Sequence, residues 1–124
     1  MIIKNSQLNN ESIKVINELI ELDIDAVAAF KLSRIIKELS SIVEIKIKME
    51  KKIYNKWALK DENGNVLQDI DGSPVFTNID EFIKEMGELE EIENNIPYDK
   101  IKFEDLNLKT AKIKDIIKIE FIFE

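Results

Sequence analysis

Neither cysteine nor histidine occurs in this 124-residue chain, and arginine occurs once, as Arg34. Without cysteine there are no disulfides, no thiolate zinc ligands and no thiol nucleophile, and a reducing compartment is the expected setting. Without histidine the commonest general base and the commonest neutral metal ligand are missing, and a single arginine leaves almost no bidentate phosphate recognition. Glycine appears three times, at isolated positions 64, 72 and 87, so no phosphate-cradling loop is present. No apolar run approaches the roughly 20 residues of a membrane helix. The opening MIIKNSQLNN also lacks the apolar stretch of a signal peptide. The expectation is a soluble, unprocessed protein that is not an enzyme and uses no cofactor.

What is present points to one packed domain, residues 1–124, because 44 % of the chain is hydrophobic and 35 % is charged. The net charge of −7 argues against direct nucleic-acid binding, whose affinity rests on neutralising phosphates. The charge is unevenly placed. Residues 31 to 60 hold nine Lys or Arg (31, 34, 37, 46, 48, 51, 52, 56, 60) against three Glu (38, 44, 50), a balance of +6. Residues 78 to 95 hold seven acids (80, 81, 85, 88, 90, 91, 93) against Lys84, a balance of −6. Two segments of opposite sign predict charge pairing inside a helical hairpin, with two docking surfaces as the alternative.

Ile2 and Ile3 predict a short strand, and Asn5 to Asn10 supply N-cap candidates for an amphipathic helix carrying Ile13, Ile16, Leu19 and Ile20. Asp25 caps a second helix that runs from Ala26 to about Leu59 without Gly or Pro. Its stripe of Ala28, Leu32, Ile35, Leu39, Ile42, Met49 and Ile53 contains Lys46 as the one polar member. The alternating VEIKIKM, residues 43 to 49, leaves a break there as an alternative. DENGN (61 to 65) and DIDGSP (69 to 74) are turn signals that predict a small β-hairpin with Val75 and Phe76 on its return strand. Asn78 and Glu81 then open an acidic helix with Ile79, Phe82, Ile83, Met86, Leu89, Ile92 and Ile96, ending before Pro97. Further on, Ile101 and Phe103 suggest a strand, Thr110 a cap for a helix over Lys112 to Lys118, and residues 117 to 124 a strand or a helix. A terminal strand would pair with Ile2–Ile3 or with residues 100 to 104. No internal repeat and no linker is apparent. The fold class expected is α+β and α-rich: a long antiparallel helical hairpin with a β-hairpin tip and a short strand-bearing base.

The candidate chemistry is sparse. Asp61, Asn63, Asn65 and Asp69 fall on a calcium-loop register, but Val66 and Gly72 stand where that loop needs its glycine and its bidentate glutamate. Asp69, Asp71 and Ser73 make a second partial match, with Pro74 in the glycine place. Turn chemistry accounts for both, so no metal is expected. Ser33, Ser40 and Ser41 lie on a helix without a nucleophile elbow, and the acids of residues 81 to 95 lack the histidines of a di-iron helix. The remaining candidates are partner contacts: Tyr54, Trp57 and Phe76 near the tip, with Glu88 and Glu91 on the acidic helix. The three aromatics are read either as a cluster pinning the hairpin to the helix or as a binding anchor.

KLSRIIKEL (31 to 39), YNKWALKDENGN (54 to 65), the acidic return helix, IKFEDL (101 to 106) and TAKIKDIIKIEFIFE (110 to 124) resemble small uncharacterised proteins of tailed phages and prophages of AT-rich bacteria. That resemblance implies a viral context and transfers no catalytic residue. It implies a non-enzymatic accessory protein acting by protein binding in the infected cell, with inhibition of a host defence system as one role. An oligomeric virion or assembly component is the alternative, and a sponge for a nucleotide signal the second.

Overall fold

The computed structural model describes residues 1–107 and 116–124. Element β1 (Ile2–Lys4) leads through a 3-10 turn into α1 (Asn10–Glu21), then α2 (Ala26–Trp57), the tip, α3 (Ile79–Glu90) and β2 (Glu93–Asn95). The α-rich α+β hairpin is the observed architecture. The helices begin where local chemistry starts them. Asn9 and Ser12 exchange bonds at the head of α1 (Ser12 N–H to Asn9 Oδ1, 2.9 Å; Asn9 N–H to Ser12 Oγ, 3.1 Å). Asp25 accepts from the N–H groups of Val27 and Ala28, and Asn78 from that of Glu81.

Helix α2 is the spine, about 48 Å long at 1.5 Å per residue. Its N-terminal half buries Ala28, Leu32, Ile35 and Leu39 in one core with Val15, Ile16 and Leu19 of α1. Ile101, Leu106, Ile119, Ile122 and Phe123 of the C-terminal segment complete that core. Each fully buried Leu or Ile contributes about 1.5–3 kcal/mol as an upper estimate. The C-terminal half of α2 carries α3, which folds back on it after the tip. The seam does not follow the expected stripe throughout. Val43 is buried where Ile42 was expected, and Met49 is exposed. A straight helix of 3.6 residues per turn drifts off a repeat of three and four, so the buried line moves around the surface over 32 residues.

At the middle of α2, Lys46 is buried and uses its ammonium fully. It donates to the carbonyls of Asn5 and Leu8, both at 2.8 Å, and pairs with Glu90 at 3.1 Å. A stripe member that looked like a polar interruption therefore ties the turn after β1 to α2 and α3. With Lys56–Glu85 at 2.5 Å, it realises the expected charge pairing within the hairpin.

Three expectations change. The acidic helix stops at Glu90, not before Pro97, and residues 93–95 form β2 antiparallel to β1 in the register Ile2↔Asn95, Ile3↔Asn94, Lys4↔Glu93. Long-range pairing decides this, and Asn94 Nδ2 adds bonds to Ile3 O and Asn5 Oδ1. Residues 43–49 are helical throughout, so α2 runs unbroken as expected and without the alternative break. The end of the chain is neither of the long elements considered: Glu120–Ile122 is a 3-10 turn, and Phe123 bridges Ile101 in parallel, so it meets the 100–104 segment and not Ile2–Ile3. Phe103–Leu106 is likewise a 3-10 turn. The Thr110 cap and most of its helix lie outside the described residues.

Candidate functional site

The tip, residues 58–76, extends the expected hairpin into a closed ring of three short segments. Bridges join Ala58 to Phe76, Lys60 to Val66 and Gln68 to Pro74. At the centre the backbone bonds run in a circle: Leu67 N–H to Leu59 O (2.8 Å), Val75 N–H to Leu67 O (2.9 Å), and Leu59 N–H to Val75 O (2.8 Å). An edge that an isolated hairpin would leave open is thus paired.

The ring rests on a repeat of eight residues, DENGNVLQ (61 to 68) and DIDGSPVF (69 to 76), which corrects the expectation of no internal repeat. Asp61 and Asp69 each accept two backbone N–H groups on one oxygen, those of Asn63 and Asn65 at 2.9 and 3.0 Å, and those of Asp71 and Ser73 at 2.9 and 3.0 Å. In each loop the glycine, Gly64 or Gly72, sits at φ +80° and donates to the carbonyl of its aspartate at 3.1 or 3.0 Å. The aspartates on the calcium-loop register hold their own loops. Among the described residues no group of three or more His, Cys, Asp or Glu stands close enough to hold a metal ion.

The second position of each loop separates the two copies. In the first loop it is Glu62, a solvated residue, and in the second it is Ile70, which is fully exposed. The same backbone forms with glutamate at the equivalent place, so nothing in the loop requires an isoleucine there. Asp61, Glu62, Asp69 and Asp71 against Lys60 give the tip a balance of −3.

Tyr54, Phe76 and Phe82 form one cluster behind the ring. Phe76 stacks on Phe82 (4.2 Å between centroids), and Tyr54 meets both edge-on at 5.9 and 6.5 Å. Trp57 is half-buried beside it, its indole N–H donating to Glu85 Oε2 at 2.9 Å, with the Lys56 ammonium 4.9 Å from its ring. These bonds from Lys56 and then Trp57 hold the Glu85 carboxyl below its ordinary pKa. The structure brings Tyr54 and Phe76 together and leaves the two glutamates elsewhere. Glu88 is exposed on α3, and Glu91 pairs with Lys4 at 2.9 Å near the base. Sequence reasoning missed Phe82 and Glu85 as the partners of the aromatics, and Ile70 as the exposed apex. The signal for Ile70 is the Asp-x-x-Gly spacing, repeated eight residues on.

A concavity of about 800 Å³ lies between the start of α2 and residues 98–107. There the Arg34 guanidinium lies 4.6 Å from the Tyr98 ring. Its rim mixes Lys31, Arg34, Lys100 and Lys102 with Asp25, Asp99, Glu104, Asp105 and Glu124, so it offers no field of one sign to a charged ligand. Among the described residues no helix is long and apolar enough to cross a membrane. Comparison of the chain with family models, with curated proteins and with solved structures returns no match.

Proposed function

We propose that this chain is a non-enzymatic protein-binding module that docks through its tip, with Ile70 as the apolar anchor. The observation that carries the reading is the pairing of Ile70 with Glu62: two loops of one geometry, one ending in a solvated glutamate and the other in a fully exposed isoleucine. An isoleucine wholly in water forgoes the gain of burial and the loop does not require it, which supports contact with another molecule as its use. The ring, the aromatic cluster and the rigid α2 stalk support it by presenting that side chain with little conformational entropy left to lose. The partner class is protein, in the phage setting that the sequence resemblance implies, where a host defence component is the role we favour.

The test is capture from infected-cell lysate on immobilised protein, comparing wild type with Ile70→Glu. The variant is expected to lose the wild-type-specific proteins while its stability stays within about 0.5 kcal/mol, as for surface substitutions. Retention of the same proteins by Ile70→Glu sinks the reading.

A further inference from the structure

We propose that one partner of the tip is a second copy of this chain, Ile70 of one copy seating on an exposed strip of α2 in the other. This inference rests on the tip being a docking element.

The strip is made of Ile45, Lys48, Met49 and Lys52, spaced i, i+3, i+4 and i+7 and therefore on one face of α2. All four are exposed, Ile45 at 59 % and Met49 at 38 %. The buried Val43 lies about half a turn round the helix from Ile45 and Lys52, so the strip faces away from the hairpin and the core. Two lysines beside two apolar side chains complement an isoleucine carried in a tip of balance −3. The Lys48–Glu44 pair, at 3.8 Å and exposed, leaves the Lys48 ammonium accessible. Strip on strip is disfavoured, because it sets Lys48 and Lys52 against their own copies. Tip on strip joins unlike charges and buries Ile70, Ile45 and Met49 together.

Sedimentation of the full chain over a concentration series tests this. Wild type is expected to self-associate, more weakly as salt rises. Ile70→Glu and Ile45→Glu are each expected to weaken association about tenfold or more. A mixture of the two variants is expected to associate where neither does alone, because the intact tip of one meets the intact strip of the other. A folding defect does not produce that rescue. A wild type monomeric up to about 1 mM, unchanged association in either variant, or no rescue in the mixture overturns the proposal. Should wild type be monomeric while capture still depends on Ile70, this inference fails and the protein-binding reading stands. Loss of Ile70-dependent capture with Ile70-independent self-association removes both.

Discussion

Trp57 and Glu85 face each other across the hairpin, the indole N–H donating to Oε2 at 2.9 Å while Lys56 holds Oε1 of the same carboxylate at 2.5 Å. The end of α2 and the second turn of α3 are thereby fixed in register, and Thr77 N–H adds a bond to Trp57 O at 2.8 Å. Trp57→Ala removes a half-buried ring and is expected to cost about 1–3 kcal/mol, below the full core value. Trp57→Phe keeps most of the apolar contact and is expected to cost less. Urea unfolding followed by circular dichroism checks the order, and an unchanged midpoint for Trp57→Ala shows that the ring does not hold the tip.

The Glu85 carboxyl is held below its ordinary pKa in the folded state by Lys56 first and Trp57 second. A depressed carboxyl contributes stability that is present above its unfolded pKa, about 4.3, and is lost as pH falls through the lower folded value. Glu85→Gln is therefore expected to be less stable than wild type near neutrality, with the difference shrinking in acid below that value. Thermal melts across pH 2 to 7 read this directly. A gap that stays constant with pH refutes the linkage.

Lys46 is a costly polar residue to remove. Lys46→Met leaves the Leu8 carbonyl without its donor, the Asn5 carbonyl with only the Leu8 N–H, and Glu90 without its partner, an expected loss of about 2–4 kcal/mol. Hydrogen exchange should quicken in residues 1–8 before the α1–α2 core responds. Equal loss of protection across the chain would mean that Lys46 is no local tie.

The three glycines separate backbone from packing, since a Cβ at each meets nothing within 4 Å. Gly64→Ala and Gly72→Ala force alanine to φ +80° and are each expected to destabilise by about 1–2 kcal/mol. Gly87, inside α3, is expected to do the opposite on replacement by alanine, gaining about 0.5–1 kcal/mol. Melting temperatures of the three variants decide it, and matching signs would contradict the reading.

The local features were legible. Asp25, Asn9 and Asn78 act within one turn of their own chain, so their caps and the start of each helix follow from neighbouring residues. Helix α2 needed only a long stretch free of Gly and Pro. The turn chemistry of Asp61–Gly64 and Asp69–Gly72 is equally local and its eight-residue recurrence stands in the sequence, whereas the closing of the two copies into one ring depends on three bridges. At the candidate site, Tyr54, Trp57 and Phe76 were placed near the tip by their spacing. Their partners Phe82 and Glu85 come from the returning helix and depend on its register.

The sequence by itself determined what chemistry is excluded, where α1, α2 and α3 begin, and that a helical hairpin carries a turn-rich tip. Those properties rest on composition and on contacts within a few residues. Tertiary structure decided the end of α3 at Glu90, the pairing of β1 with β2, the burial of Lys46 and the exposure of Met49 and Ile70. Each of these depends on which distant groups meet. A buried lysine is tolerable only where two carbonyls and a carboxylate converge on it, and an isoleucine is exposed only where the ring closes without it.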